Sequence, residues 1–266
     1  MPYLQEKGSA MSISFNSLGG MGRLGNQMFQ YASIRGIAAN NNLHWMIPPP
    51  STPTIDKYEL FDVFEMTHCT PGNIGIQEGA YALNFDFHFD EDIYNDCPDD
   101  VDLVGYLQTE KYFLEIVDEI HEDFTFKEKA ALPASEYVSI HVRRTDYANF
   151  PDYHPMLSVG YYPEAIAMLG LDWTYVVTSD DIRWCKEYFV DSDVNFIFME
   201  NTSASADLYI HTQAKHNIIA NSSFSWWGAW LNTNPDKRVI APKRWFGPAL
   251  DHYYMDDIRP ESWEQI

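Results

Sequence analysis

The stretch Tyr137-Val-Ser-Ile-His-Val-Arg-Arg-Thr-Asp146 predicts a buried strand that ends in a cluster of charged residues. Its apolar and β-branched residues precede a polar loop, which is typical of a strand inside a parallel sheet. Ligands of open α/β sheets bind at the carboxyl ends of the strands, where the polar residues from His141 to Asp146 would lie. Because a guanidinium stays charged and its planar fork fits phosphate oxygens, Arg143 and Arg144 predict a phosphate-bearing ligand. A surface arginine pair bonded to acidic neighbours is the alternative.

Strands and helices alternate from this stretch to the end of the chain. The pattern predicts strands at 174–178, 194–198, 217–220 and 238–241, and helices at 162–169, 182–189, 205–215 and 221–231. Such alternation favours an α/β fold with a doubly wound parallel sheet in this half.

Polar clusters follow three of these strands, at 141–146, 179–181 and 221–223. Ser222 and Ser223 begin a helix and offer hydroxyls and backbone N–H groups to a phosphate. Asp207 is a candidate acceptor for a guanine or a sugar, or else a first-turn acid facing the helix dipole. Asp181 is either a ligand or a helix cap. Together, the clusters predict a pocket for a nucleotide diphosphate.

The N-terminal half begins with a predicted strand at 12–15, a glycine-rich loop at 19–25 and a helix that ends at 40–42. This order favours anion binding at the helix N-terminus, with a plain turn as the alternative. The loop matches neither the dinucleotide-binding glycine pattern nor a P-loop. The segment 81–90 predicts an edge strand or a loop that faces an acceptor, and 112–124 predicts an amphipathic helix.

The 266-residue chain has a net charge of −22, which disfavours binding to nucleic acid or anionic membranes. No apolar run approaches the ~20 residues that span a bilayer, and no signal peptide is visible. We therefore expect a soluble cytoplasmic enzyme, bacterial or viral, without stable membrane insertion. The predicted organisation is a peripheral segment 1–10, an acceptor-side α/β domain 11–130 and a donor-binding Rossmann-like domain 131–266.

Four ordered motifs resemble those of the α1,2-fucosyltransferase family, which is glycosyltransferase family 11. They are Gly22-Arg-Leu-Gly-Asn-Gln-Met-Phe-Gln-Tyr-Ala32, His141-Val-Arg-Arg-Thr-Asp146, Thr178-Ser-Asp-Asp181 and Asn221-Ser-Ser-Phe-Ser-Trp-Trp-Gly-Ala-Trp-Leu231. Many members of the family have glycine at the position of Thr145, whereas core α1,6-fucosyltransferases have threonine there.

The resemblance implies a GT-B fold with two Rossmann-like halves. It also implies an inverting transfer of L-fucose from GDP-β-L-fucose to a galactose 2-hydroxyl of a glycan, with no metal or other cofactor. Arg143 would act on the leaving diphosphate. The other implied donor-binding residues are Arg23, Gly25, Asn26, His141, Arg144, Asp181, Asp207, Ser222 and Ser223.

An inverting transfer needs a base near the acceptor hydroxyl, and the candidates are Asp146, Asp152 and His154. His154 has the most suitable ordinary pKa. Core α1,6 relatives place a glutamate base four residues before a His-Pro pair, but this chain has Phe150 there. Alternative functions are a related GDP-sugar transferase of another linkage or donor, and a non-catalytic protein that binds GDP or glycans.

Overall fold

The computed structural model describes residues 11–54, 57–69, 82–85, 87–190 and 193–266, and these residues form two parallel β-sheets flanked by helices. The predicted peripheral segment 1–10 lies outside the described residues. This architecture confirms the predicted α/β class. The predicted division at 130/131 falls between the two sheets and stays a prediction.

The N-terminal sheet has four strands in the order β2-β1-β4-β3. The strands are β1 (Ser12–Ser14), β2 (His44–Met46), β3 (Ala82–Phe85) and β4 (Val101–Gly105), and the helices of this half are α1 (Leu24–Asn41), α2 (Leu60–Val63), α3 (Glu91–Asn95) and α4 (Val117–Asp123). All strand pairs are parallel. Of the two structures considered for 81–90, β3 provides the edge strand.

The C-terminal sheet has six parallel strands in the order β10-β9-β8-β5-β6-β7. They are β5 (Val138–Val142), β6 (Thr174–Ser179), β7 (Asn195–Phe198), β8 (His216–Ile218), β9 (Val239–Ala241) and β10 (Glu264–Gln265), with helices α5 (Tyr161–Leu169), α6 (Ile182–Tyr188), α7 (Ala204–Thr212) and α8 (Ser223–Trp230). Every residue of β5 is buried, as its apolar sequence predicts. The predicted strands and helices of this half are confirmed, and β10 is an addition.

The strand order of this sheet creates a switch point beside β5. The chain moves outward from β5 through β6 to β7, and then returns to the other side of β5 as β8. The loops after β5 and β8 therefore diverge and leave a crevice, which is where ligands of open α/β sheets bind.

An aromatic core joins the two halves where α1 packs on α8. The ring of Phe29 lies 4.4 Å from Trp226 and 5.0 Å from Trp227, between ring centroids. Phe113 stacks on Trp227 at 5.4 Å. These tryptophans are core residues, and their packing on Phe29 holds the N-termini of α1 and α8 against each other.

The predicted helix over 112–124 is wrong in its first half. The chain forms separate 3₁₀ turns at Glu110–Tyr112 and Leu114–Ile116, and only α4 is α-helical. The reason is a close backbone contact with α1. A Cβ on Gly36 would lie 1.8 Å from the Tyr112 carbonyl oxygen, so the Tyr112–Phe113 backbone rests directly on α1 and departs from helical geometry at Phe113.

Candidate functional site

A cavity of about 880 Å³ lies at the facing edges of the two sheets. Its walls include the segments that follow β4 in one sheet and β5, β6 and β8 in the other. The predicted site residues that line it are Arg23, Gly25, Asn26, His141, Arg143, Asp146, His154, Asp207, Ser222 and Ser223. Most of the predicted site therefore meets in one place.

Arg143 follows β5 and lies at the switch point. Its Nη2 is 2.5 Å from Asp146 Oδ2, and its Nη1 is 3.4 Å from Asp180 Oδ2. Burial opposes the charge of Arg143, but the hydrogen bond to Asp146 and the charge of Asp180 outweigh it and raise the pKa of the guanidinium. Arg143 thus stays charged on the cavity wall, where it can bind an anion.

Asp180 holds the loop that presents Arg143. Its carboxylate accepts hydrogen bonds from the backbone N–H groups of Arg144 (2.9 Å) and Thr145 (3.1 Å). The Thr145 hydroxyl donates to it as well, at 2.6 Å. The threonine at this position therefore adds a bond that glycine cannot make.

Arg144 and Asp181 lie outside the cavity wall, in contrast to the prediction that they bind the donor. The Arg144 Nε is 3.4 Å from Asp181 Oδ2, and its guanidinium lies 3.8 Å above the Trp184 ring. Asp181 accepts from the Trp184 N–H at 3.2 Å and caps α6, which was the alternative for this residue. Of the two adjacent arginines, only Arg143 lines the cavity.

The N-terminus of α8 reaches the cavity beside the glycine-rich loop. Asn26 Oδ1 accepts from the Ser223 hydroxyl at 2.7 Å and from Gln108 Nε2 at 2.9 Å. A Cβ on Gly25 would lie 2.6 Å from the Phe224 nitrogen, so only glycine permits this approach of the two helices. Gly25 and Asn26 therefore position α8, and Ser222 and Ser223 face the cavity with it.

The N-terminus of α1 is occupied by a carboxylate of the same chain, Glu59. Its Oε2 accepts from the Leu24 N–H at 3.1 Å, and its own N–H donates to Gln27 Oε1 at 2.8 Å. An acid at this end of a helix is stabilised by the dipole. The anion-binding arrangement expected for the glycine-rich loop is thus filled by Glu59, and α8 offers the N-terminus for a ligand. Arg23 is exposed at the cavity and forms no ion pair with a residue that the structure describes.

Two titratable groups of the wall have displaced pKa values. Burial raises the pKa of Asp207 to about 6, partly offset by a hydrogen bond from Thr202 at 2.5 Å. Burial, together with His211 and Arg143, holds the pKa of His141 well below its usual range. His141 is therefore neutral, and Asp207 is a carboxylate near the point of protonation.

The three base candidates differ in their positions. His154 lines the cavity, stacked on Tyr147 at 4.8 Å, and burial lowers the pKa of its imidazole despite the charge of Asp146. Asp146 is bound to Arg143. Asp152 is exposed and lies outside the wall.

Asn221 belongs to the polar cluster predicted at 221–223 and acts as a positioning residue. Its Nδ2 donates to the carbonyls of Pro155 at 3.0 Å and Trp245 at 2.9 Å. These bonds hold the loop that carries His154 against the segment after β9. No local pattern indicates them, because the partners lie 66 and 24 residues away.

Among the described residues, no group of three or more His, Cys, Asp or Glu side chains is placed to hold a metal ion. None of the described helices is both long and apolar enough to cross a membrane.

Comparisons with known proteins place this chain among sugar transferases. The sequence profile of glycosyl transferase family 11 matches residues 92–264. An α-1,2-colitosyltransferase of Escherichia coli is 31% identical over 92% of this chain and 96% of its own length. The galactoside 2-α-L-fucosyltransferase SEC1 of Bos taurus is 28% identical over 79% of this chain, which spans only 62% of that protein.

Two solved structures have a similar fold at low sequence identity. FUT1 of Arabidopsis thaliana in complex with GDP has a TM-score of 0.52 and 12% identity, covering 90% of this chain and 72% of that chain. The fucosyltransferase NodZ from Bradyrhizobium has a TM-score of 0.50 and 10% identity, covering 83% of this chain and 93% of that chain. The predicted GT-B type of fold is confirmed.

Proposed function

Because this chain belongs to glycosyl transferase family 11 and is a glycosyltransferase, we propose that it transfers L-fucose from GDP-β-L-fucose to the 2-hydroxyl of a galactose residue. The observation that carries the proposal is the meeting of Arg143, the N-terminus of α8 and Asp207 on one cavity wall. Each of these groups suits a different part of a GDP-sugar.

Arg143 and α8 bind the diphosphate and stabilise the leaving GDP. As the bond between sugar C1 and the phosphate oxygen breaks, negative charge grows on that oxygen. A preorganised guanidinium and helix N–H groups are most favourable for that charge, because they need no reorganisation. The exposed Arg23 adds a second positive charge to the same cavity.

Asp207 binds the guanine. A carboxylate has two acceptor oxygens that match the adjacent N–H donors of guanine, and no other common base presents that pair of donors. Thr202 already occupies one lone pair of Oδ1. The remaining acceptors give the site its selectivity for GDP-sugars.

The inverting step requires attack from the face opposite the diphosphate. We assign the base to His154, since Asp146 is bound to Arg143 on the diphosphate side and Asp152 lies outside the wall. The neutral imidazole takes the proton of the galactose 2-hydroxyl while that oxygen bonds to C1, and GDP departs with the electron pair. A positioned base of this kind contributes ~10²–10⁴-fold to the rate.

The E. coli relative is named for colitose, so colitose is compared with L-fucose as the donor sugar. Colitose is L-fucose without the 3-hydroxyl. A site that hydrogen-bonds that hydroxyl rejects the deoxy sugar by ~10⁴-fold or more, whereas an apolar pocket discriminates only weakly. GDP-colitose is therefore the alternative donor.

The test is acceptor-dependent GDP release with EDTA present, comparing GDP-fucose, GDP-colitose and GDP-mannose. Lactose and type 1 and type 2 chains serve as galactose-terminated acceptors. We expect release from GDP-fucose that depends on one galactoside and persists in EDTA. A preference for GDP-colitose would identify colitose, and not L-fucose, as the transferred sugar. Loss of activity in EDTA would show that the transfer needs a metal ion. Release from GDP-mannose alone would contradict the proposal.

A further inference from the structure

We propose that Tyr106 and Tyr253 form the subsite that holds the terminal pyranose ring of the acceptor, on a base made by Phe87 and Phe246. The inference rests on the proposed function and specifies where the acceptor lies. All four residues line the cavity. They belong to parts of the wall that carry none of the predicted donor-binding residues, namely the segments after β3, β4 and β9.

The rings form one connected cluster across the two halves of the molecule. Phe87 is parallel to Tyr106 at 5.7 Å between centroids, packs on Phe246 at 4.5 Å and meets Tyr253 edge-on at 5.6 Å. Phe87 and Phe246 are almost fully buried, whereas Tyr106 and Tyr253 are half-buried. The phenylalanines thus serve as core, and the tyrosines present surface to the cavity.

The two hydroxyls are open to a ligand as far as the described part of the chain shows. Neither the Tyr106 nor the Tyr253 hydroxyl is hydrogen-bonded to a residue that the structure describes. An aromatic face that carries a hydroxyl is suited to a sugar, which has an apolar C–H face and a rim of hydroxyls. Galactose fits well, because its axial 4-hydroxyl leaves the C–H groups of one face contiguous.

Tyr106 is held by buried polar side chains of α1. The carbonyl before it, of Gly105, accepts from Gln30 Nε2 at 3.1 Å, and the carbonyl after it, of Leu107, accepts from the Ser33 hydroxyl at 3.2 Å. Gly105 and Leu107 both have positive φ, at 147° and 45°. Glycine adopts a positive φ without strain, but leucine rarely does, and such non-glycine residues cluster at functional sites. The unfavourable conformation of Leu107 therefore lies directly beside Tyr106.

The segment that carries Phe246 and Tyr253 is bonded to the loop of the proposed base. The Gly247 N–H donates to the Tyr153 carbonyl and the Ala249 N–H to the Asp152 carbonyl, both at 2.9 Å. A Cβ on Gly247 would lie 2.3 Å from the Asp152 oxygen, so the contact requires glycine. The acceptor subsite and His154 are therefore held in a fixed relation, as a reaction between acceptor hydroxyl and base demands.

The experiment compares Tyr253→Ala, Tyr253→Phe and Tyr106→Phe with the matched control Tyr254→Ala. Tyr254 is the next residue, is 57% exposed and does not line the cavity. Initial rates give the KM for the galactoside and for the GDP-sugar separately, and calorimetry gives the Kd for GDP. Thermal unfolding checks that each variant is folded.

We expect Tyr253→Ala to raise the acceptor KM by about tenfold or more while the donor KM and the GDP Kd stay within about twofold. The two phenylalanine variants keep the ring and lose the hydroxyl, so their acceptor KM should rise less, and Tyr254→Ala should match the wild type. An unchanged acceptor KM in folded Tyr253→Ala and Tyr106→Phe, or an equal rise in both KM values, would overturn the subsite. If the wild type transfers to no galactoside, the proposed function fails instead.

Discussion

Replacing Arg143 by alanine should remove most of the activity, whereas the same change at the adjacent Arg144 should not. Arg143 lines the cavity between two carboxylates, and Arg144 stacks on Trp184 outside it. The pair therefore compares the same substitution at neighbouring positions of one loop.

The magnitude for Arg143 has two parts. Loss of one preorganised donor to the developing charge costs ~2.7–4 kcal/mol, or ~10²–10³ in kcat. In addition, Asp146 and Asp180 then face the diphosphate without their counter-ion. At a separation of ~6 Å and an effective dielectric of ~20, each such repulsion is at most ~3 kcal/mol, and less where solvent screens it. Because the Asp146 side chain is 47% exposed, its share is the smaller.

The assay is GDP release at saturating acceptor, with thermal unfolding as the control for folding. We expect Arg143→Ala to lose at least ~10³-fold in kcat/KM, and Arg143→Lys to remain poor because an ammonium cannot replace the planar fork. Adding Asp146→Asn to Arg143→Ala should restore up to about tenfold by removing one repulsion. Arg144→Ala should stay within about threefold of the wild type, since it loses only a partly exposed ion pair and one ring contact. Comparable losses at both arginines, in folded proteins, would contradict the assignment of the leaving diphosphate to Arg143.

Three further predictions concern titration, the base and packing. The wild-type donor KM should rise below about pH 6, where Asp207 becomes protonated. Asp207→Asn should raise the donor KM near neutral pH and show no such rise. The GDP-sugar is used for this measurement because the terminal phosphate of GDP titrates in the same range. The raised pKa means that folding stability falls as the pH rises through about 6, so the same variant should unfold at a higher temperature at neutral pH. His154→Gln should lower kcat by ~10²–10⁴-fold, and the wild-type rate should fall as the pH drops through the lowered pKa of this histidine; an unchanged profile would move the base elsewhere. Gly36→Ala should destabilise the fold by ~3 kcal/mol or more in denaturant unfolding, because its Cβ would overlap the Tyr112 carbonyl, whereas Gly160→Ala, with its nearest contact at 3.9 Å, should be tolerated.

Local patterns in the sequence predicted most strands and helices of the C-terminal half. The apolar residues Tyr137, Val138, Ile140 and Val142 predict a strand over 137–142, which matches β5 to within one residue. The polar ends of β5, β6 and β8 meet, as a parallel sheet requires. The family resemblance added Arg23, Gly25 and Asn26 of the N-terminal half to the predicted site, and these residues line the same cavity.

Local patterns did not predict contacts between residues that are distant in the sequence. Glu59 caps α1 from 35 residues away, and no capping signature next to α1 indicates it. Adjacent residues after a strand point in different directions, which explains why Arg143 and Arg144 have different surroundings. The amphipathic pattern of 112–124 is real, but the close contact of Tyr112 with Gly36 depends on tertiary packing and shortens the helix.

The structure of the reaction product reports directly on the proposed transfer of fucose to galactose O2. Incubation of the enzyme with GDP-β-L-fucose and the galactoside that supports GDP release, followed by NMR of the purified product, reports both the anomeric configuration and the linkage. We expect an α-fucosyl residue, with the small H1–H2 coupling of that anomer, attached at galactose O2. A β-linked product would contradict the inverting mechanism, and attachment at another hydroxyl would contradict the assigned acceptor position.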